Sequence, residues 1–266
     1  MSIVTLTTDW GYKDFYLGKF KGRLISEVPN VQIVDITHNI KKYDINATAF
    51  ITQNACFDFP TNTIHLIDVA AMKSHVLVVC NEQYFLCSDN VIPSLLFYGK
   101  EIEIYSLKTS DLKTNFIALD LYIPIIKMLY EGKKPEQIGE RQVSFANIER
   151  PCRFAKLNDY IECHVIHIDN YGNATLDITE EEFKSILSNQ PTNDFYIVAA
   201  HGTCITQISP LIIDKDDCIP ILGVSSSGFL QLALSRSSYI DMFHNKDMIP
   251  SNMQIPIHIY LGQAKK

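Results

Sequence analysis

No run of eighteen apolar residues occurs in this sequence, so no segment reads as a membrane-spanning helix. The opening MSIVTLTTDWGYKD lacks the basic and apolar regions of a secretory signal, which makes the cytoplasm the expected location. The seven cysteines include no CxxC pair. Their odd number points to reduced thiols rather than a disulfide framework or structural zinc. No long Lys/Arg block is present and the formal net charge is −7, so a phosphate backbone is a poor partner. Neither nucleic acid nor membrane is expected as a partner. GxGxxG, GxxxxGK[ST], HExxH and GxSxG are all missing, so dinucleotide, P-loop, zincin and serine-hydrolase readings have no motif to stand on. There is no internal repeat.

What is present suits a folded chain of one large or two small domains: 266 residues, 47% of them hydrophobic. The first half alternates short apolar runs with amphipathic stretches. IVTLTT, VQIVDIT and TIHLIDV read as strands, and HVLVV and YFLC as a hairpin around Asn81. Between them lie helices with Asp14, Asp44 and Asp89 as N-cap candidates, and DLYIPIIKMLYEG ends at Gly132. Strands alternating with helices predict an α/β domain over 1–150 with a mostly parallel sheet. Periodicity fades between Lys133 and Tyr160. Beyond that the pattern turns to strands, broken by one helix that the capping box Thr179 to Glu182 opens. A smaller β-rich domain, barrel or sandwich, is expected over 151–266.

In an α/β sheet, ligands gather beyond the carboxyl ends of strands. Three polar clusters occupy such places: Thr7-Thr8-Asp9-Trp10-Gly11, then Thr37-His38-Asn39 with Tyr43-Asp44, then Asp169-Asn170-Tyr171-Gly172-Asn173. Taken singly, each reads first as a turn, because Asp, Asn and Gly favour turns for backbone reasons alone. Taken together they do not. LTTDWGYKDFYLGKFKG, IVDITHNIKKYDINATAF, HVIHIDNYGNATLDI and GVSSSGFLQLALSR follow one another in an order that resembles the S-adenosylmethionine hydroxide adenosyltransferases, relatives of the fluorinase and chlorinase.

That resemblance implies a homotrimer whose ligand lies between the first domain of one subunit and the second domain of the next. S-adenosylmethionine would be substrate or ligand, with no separate cofactor and no metal. Asp9 matches the carboxylate that holds the ribose diol, a charge-assisted pairing. Asp14 and Asp169 match positions around the methionine end. Asn173 matches the amide that reads adenine, since an amide both donates and accepts. Tyr43 and Tyr171 match aromatic residues flanking the ligand, and Ser226 a hydroxyl that meets the methionine carboxylate. Halogenating relatives have Arg at the next position, where this chain has Ser227.

Hydrolytic members of the family carry an Asp–Arg–His set that orients water. Its Asp lies in a Val-Asp-Pro-Gly-type loop after the third strand, where this chain reads HLIDVAAMKSHVLVV. Simple register places Ala70 at the Asp, and Ile117 of NFIALDLYIP at the His, although Asp120 is kept. Asp68 and His75 flank the altered loop and are the neighbours available as substitutes, since His beside a carboxylate is a competent base. The plainer reading leaves both at a solvated strand edge. Ser74 and Ser88 are weaker candidates, and His65 reads as a packing residue. His164 and His167, three apart on a strand, face opposite ways and share no metal.

Two functions follow. One is hydrolysis of S-adenosylmethionine at C5′ to adenosine and L-methionine; the other is a binder of adenosylmethionine or adenosine that performs no chemistry. Halide-dependent adenosyl transfer ranks below both, because the halide pocket is built from the loop that is rewritten here.

Overall fold

A computed structural model describes residues 2–109, 114–148, 153–157, 159–199, 202–210, 219–242 and 256–263. The chain forms two compact units, Met1–Pro151 and Cys152–Lys266. No helix among the described residues is long and apolar enough to cross a membrane.

The first unit opens with β1 (Ile3–Thr8), α1 (Tyr16–Glu27), β2 (Gln32–Thr37), α2 (Ile45–Cys56) and β3 (Ile64–Asp68). The hairpin β4 (His75–Cys80) and β5 (Gln83–Ser88) follows, then α3 (Val91–Leu96) and β6 (Glu103–Ser106). A π-helical turn, Ala118–Tyr122, runs into α4 (Ile123–Tyr130), and β7 (Glu140–Gln142) closes the unit. The sheet order is β2-β1-β3-β5-β4-β6-β7. Strands β2, β1, β3 and β5 pair in parallel, but β5–β4, β4–β6 and β6–β7 are antiparallel. The sheet is therefore mixed, not mostly parallel. The cause is local: Asn81 and Glu82 both take left-handed φ (50° and 58°), which turns the chain straight back on itself.

Both faces of this sheet are covered. Val4, Leu6, Phe20, Leu24, Tyr122 and Ile126 pack on one side, and Val76, Val78, Phe85, Leu96 and Phe97 on the other. Two capping expectations need correction. Phe15, not Asp14, is the N-cap residue of α1 and gives no side-chain bond; Asp14 is exposed. Asn90, not Asp89, caps α3 by accepting from Ile92 N, because Asp89 is turned instead to Ala146 N at 3.0 Å. Asp44 does cap α2, accepting from Ala47 N at 2.9 Å.

The second unit holds β8 (Ala155–Lys156), β9 (Tyr160–Ile168), β10 (Ala174–Thr179), α5 (Glu180–Ser188), β11 (Phe195–Val198) and β12 (Cys204–Ile205). It ends with β13 (Pro220–Val224), β14 (Phe229–Leu234) and β15 (Pro256–Leu261). The strand order is β12-β11-β15-β9-β10-β14-β13, with β8 against β9, and all these ladders are antiparallel. A bridge from Ile208 to Leu222 brings the chain after β12 against β13, so the sheet nearly closes into a barrel. Leu176, Phe183, Leu222, Leu232 and Ile259 fill its interior. The capping box of α5 is complete: Thr179 Oγ1 accepts from Glu182 N, and Glu182 Oε2 accepts from Thr179 N.

Candidate functional site

Register decides which polar residues meet in the first unit. Strands β1 and β3 are parallel with Thr8 opposite Asp68, β3 pairs β5 with Ile67 opposite Cys87, and β5 pairs β4 with Ser88 opposite His75. Thr8, Asp68, Ser88 and His75 thus form one row at the carboxyl ends of the parallel strands. The hairpin puts the beginning of β4 at this same edge.

Asp68 and His75 are both buried, not solvated, at 7% and 1% exposure. Asp68 Oδ2 accepts from Trp10 Nε1 at 3.0 Å, while Oδ1 has no hydrogen-bond partner. Burial pushes this carboxyl up to about 6; the Trp10 bond opposes the shift and the charge of Asp9 adds to it. His75 is held differently. Its Nδ1 lies 2.6 Å from the Tyr122 hydroxyl and 3.4 Å from Ser88 Oγ, which in turn accepts from Met72 N at 3.2 Å. Burial lowers the imidazole pKa, opposed by the Met72 backbone, and raises that of the Tyr122 phenol. Nδ1 of His75 is thus engaged by two hydroxyls, while its Nε2 has no hydrogen-bond partner. Each of the two substitutes keeps one unpartnered polar atom, Asp68 Oδ1 and His75 Nε2, but only the Asp68 oxygen is an acceptor in every ionisation state.

The loop after β3 carries a backbone signature as well. Ala70 sits at φ 50°, a left-handed conformation that suits glycine and strains alanine. Ile117 is half-buried and packs on the hydrophobic core. Asp9, next to this row, has one oxygen 3.4 Å from Tyr43 N. Tyr43, 71% exposed at φ 64°, and the exposed Tyr12 lie on the loops after β2 and β1. Beneath them, Thr8 Oγ1 bonds His38 Nδ1 at 2.8 Å. His65 is a packing residue, bonded to Thr5 at 2.7 Å and stacked on Phe85; burial takes its pKa down to about 4.

In the second unit, Asp169 organises its own turn. Oδ1 accepts from Tyr171 N and Asn173 N, both at 2.9 Å, and Oδ2 accepts from Asn173 Nδ2 at 2.8 Å and Gln231 Nε2 at 3.4 Å. Four donors occupy the roughly four acceptor sites of a carboxylate. Asn173 is buried with its amide aimed, Tyr171 is 77% exposed, and Gly172 turns the chain at φ 79°. Ser226 lies elsewhere. It is exposed in the β13–β14 turn beside the start of α5, where Glu180 N donates to Gly228 O. Thr179 pairs with Phe229 while Ala174 pairs with Leu232, so Ser226 and the 169–173 turn sit at opposite ends of six-residue β10. The serine beside the turn is Ser238, whose Oγ stands 1.9 Å from where a Cβ on Gly172 would project.

Sequence reading gave no role to Trp10, Tyr122, Gln231 or Ser238. The lone tryptophan in a polar turn was the one available signal. The others sit in regular apolar patterns, and only their hydrogen bonds reveal them. The five described cysteines, Cys56, Cys80, Cys87, Cys163 and Cys204, are unpaired, and no group of three or more His, Cys, Asp or Glu among the described residues could hold a metal.

Two units of this kind, an α/β sheet with a polar row at its parallel strand ends and a barrel-like antiparallel sheet with an Asp-organised turn, define the class. Residues 4–139 match the model of the SAM hydroxide adenosyltransferase N-terminal domain, and the chain belongs to the SAM hydroxide adenosyltransferase family. It is 25% identical over 197 residues to an (R)-S-adenosyl-L-methionine hydrolase of Methanocaldococcus jannaschii, covering 68% of this chain and 69% of that protein. Its fold is similar to the crystal structure of an uncharacterized conserved protein from Thermotoga maritima, with TM-score 0.79 and 21% identity over 97% of this chain and 98% of that one. A conserved hypothetical protein from Thermus thermophilus also shares it, with TM-score 0.69 and 18% identity over 98% and 100% of the chains.

Proposed function

We propose that this protein binds S-adenosylmethionine and cleaves it with water at C5′, giving adenosine and L-methionine, with Asp68 as the carboxylate that orients the water. The observation that carries this reading is the buried Asp68, which spends one oxygen on Trp10 and keeps the other free at the ligand-gathering edge of the sheet. The left-handed Ala70 supports a register slid by two residues, in which Ile67-Asp68-Val69-Ala70 matches the Val-Asp-Pro-Gly-type loop with Ala70 in the glycine place. Asp68, not Ala70, then stands where hydrolytic members have their acid.

In this mechanism the sulfonium is already a good leaving group. The protein binds it, docks a water in line with the C5′–S bond and accepts a proton as the C–O bond forms. Asp9 takes the ribose diol, Asn173 the adenine edge, and Tyr43 and Tyr171 the flat faces of the ligand. Asp169 keeps Asn173 in place rather than meeting the ammonium, since its lone pairs are in use. The homotrimer, in which the two sets of residues come from different copies, is part of this proposal and is tested by light scattering.

Incubation of purified protein with S-adenosylmethionine, followed by chromatography, tests the activity. Release of adenosine and methionine that Asp9→Ala abolishes supports hydrolysis, and a chloride or fluoride arm identifies any halogenated adenosine. The second reading, a binder without turnover, draws on Ile117, an apolar residue where hydrolytic members carry His. Tight retention of the nucleoside with no adenosine released would favour it.

A further inference from the structure

We propose that Trp10 is the positioning residue of Asp68: its indole N–H aims the carboxylate, holds it ionised and leaves Oδ1 to the water. This rests on the hydrolytic reading above and deepens it. Three observations converge. First, Trp10 Nε1 supplies the hydrogen bond that Asp68 accepts, at 3.0 Å, inside a site with almost no exposure to water. Second, the indole is clamped. Phe20 and Phe116 meet it edge to face, with centroids 5.5 and 5.1 Å away and interplanar angles of 64° and 75°. Ring orientation fixes the direction of the N–H, so the donor is in place before any ligand arrives. Third, indole nitrogen only donates. It can stabilise the carboxylate form of Asp68 and has no lone pair with which to bond the protonated form's O–H.

The balance of charges shows why a donor is needed here. Burial favours the neutral acid, and Asp9, the residue that follows β1, adds a like charge. A protonated Asp68 would neither orient a water as acceptor nor take its proton. The N–H of Trp10 acts against both influences, and the short reach from the β1 end to the β3 end makes it possible: Thr8 and Asp68 are direct neighbours in register.

Trp10 is the only tryptophan in the chain, which makes the test residue-specific. Uniform 15N labelling yields a single indole N–H resonance, followed by NMR between pH 4 and pH 9 in the free protein. The expected result is a titration with its midpoint near 6 that disappears in Asp68→Asn. An indole signal that ignores pH, or that titrates unchanged in Asp68→Asn, overturns the proposal. In a second arm, growth on β-(3-benzothienyl)alanine replaces indole N–H by sulfur at this one position while keeping ring shape and packing. Expected is a fall in kcat/KM at pH 7 of about tenfold or more, consistent with loss of a bond to a charged group, with KM little changed and the deficit narrowing towards pH 9. An equal loss at every pH accompanied by a raised KM shows a packing role and also overturns it. If the unmodified protein releases no adenosine, the hydrolytic reading fails, and the indole titration still decides the Trp10–Asp68 claim.

Discussion

Asp68 and Asp169 both stand at the carboxyl end of a strand, yet their surroundings are opposite. Asp68 accepts one hydrogen bond, has an oxygen without a partner and is pushed up to about 6 by burial. Asp169 accepts four, two of them from backbone N–H groups of its own turn. An under-satisfied acid in a closed site retains capacity for a substrate or water. A saturated one has spent that capacity on building the loop. The two acids thus differ in kind: one keeps an unpartnered oxygen, the other holds a pre-organised turn.

The sharpest way to break this comparison is Asp68→Asn. Turnover should fall about 10²–10⁴-fold, the usual worth of one general base. Stability should move the other way. The folded pKa lies above the ordinary 3.8, so the native state takes up a proton between about pH 4 and 6 and stability falls as pH rises through that window. Asp68→Asn should therefore flatten the pH dependence and melt higher above pH 6, as measured by calorimetry. A variant less stable at pH 8 than the parent would contradict the picture of a strained, reactive acid. Activity of the parent should rise with pH through about 6, since the carboxylate form does the work.

Asp169→Ala should behave as the mirror image. Two backbone donors and the Asn173 amide lose their acceptor, at a cost of about 2–3 kcal/mol. Adenosine affinity, read by titration calorimetry, should drop about tenfold or more. Stability that stays unchanged would show that the turn does not need its carboxylate. Gly172→Ala probes the same turn more gently. A Cβ there would stand 1.9 Å from Ser238 Oγ at φ 79°, so a loss of about 2 kcal/mol is expected in chemical denaturation. The smallest effect should come from Tyr122→Phe, which removes the 2.6 Å partner of His75 Nδ1 and leaves Ser88 at 3.4 Å. About 1 kcal/mol of stability should go. A collapse of turnover with unaltered binding would instead make the imidazole, not Asp68, the working base.

Much of the fold was legible in the pattern of residues. Short apolar runs marked β1 to β5, the Asn81 hairpin showed as a turn between two strands, and Thr179 with Glu182 announced α5. Sheet polarity was not legible, because a hairpin inside an α/β pattern looks the same whether its strands stay in the sheet or leave it. Short strands such as β7 and β8, with two or three exposed residues each, carry no periodicity at all. At the candidate site, the sequence offered Asp9, Asp169 and Asn173 by their place in the family blocks, and Asp68 only beside His75 as a substitute. Asp14 as a cap could not be judged, since a helix's first turn is not visible in residue types alone.

Residue order by itself determined the element types, the polar turns after the strands and the family blocks, because these depend on neighbours a few positions apart. Only the tertiary structure decided which acid keeps an oxygen without a partner. The chemistry of a carboxylate follows the number of donors that reach it, and those come from far along the chain: Trp10 is 58 residues from Asp68, and Gln231 is 62 from Asp169.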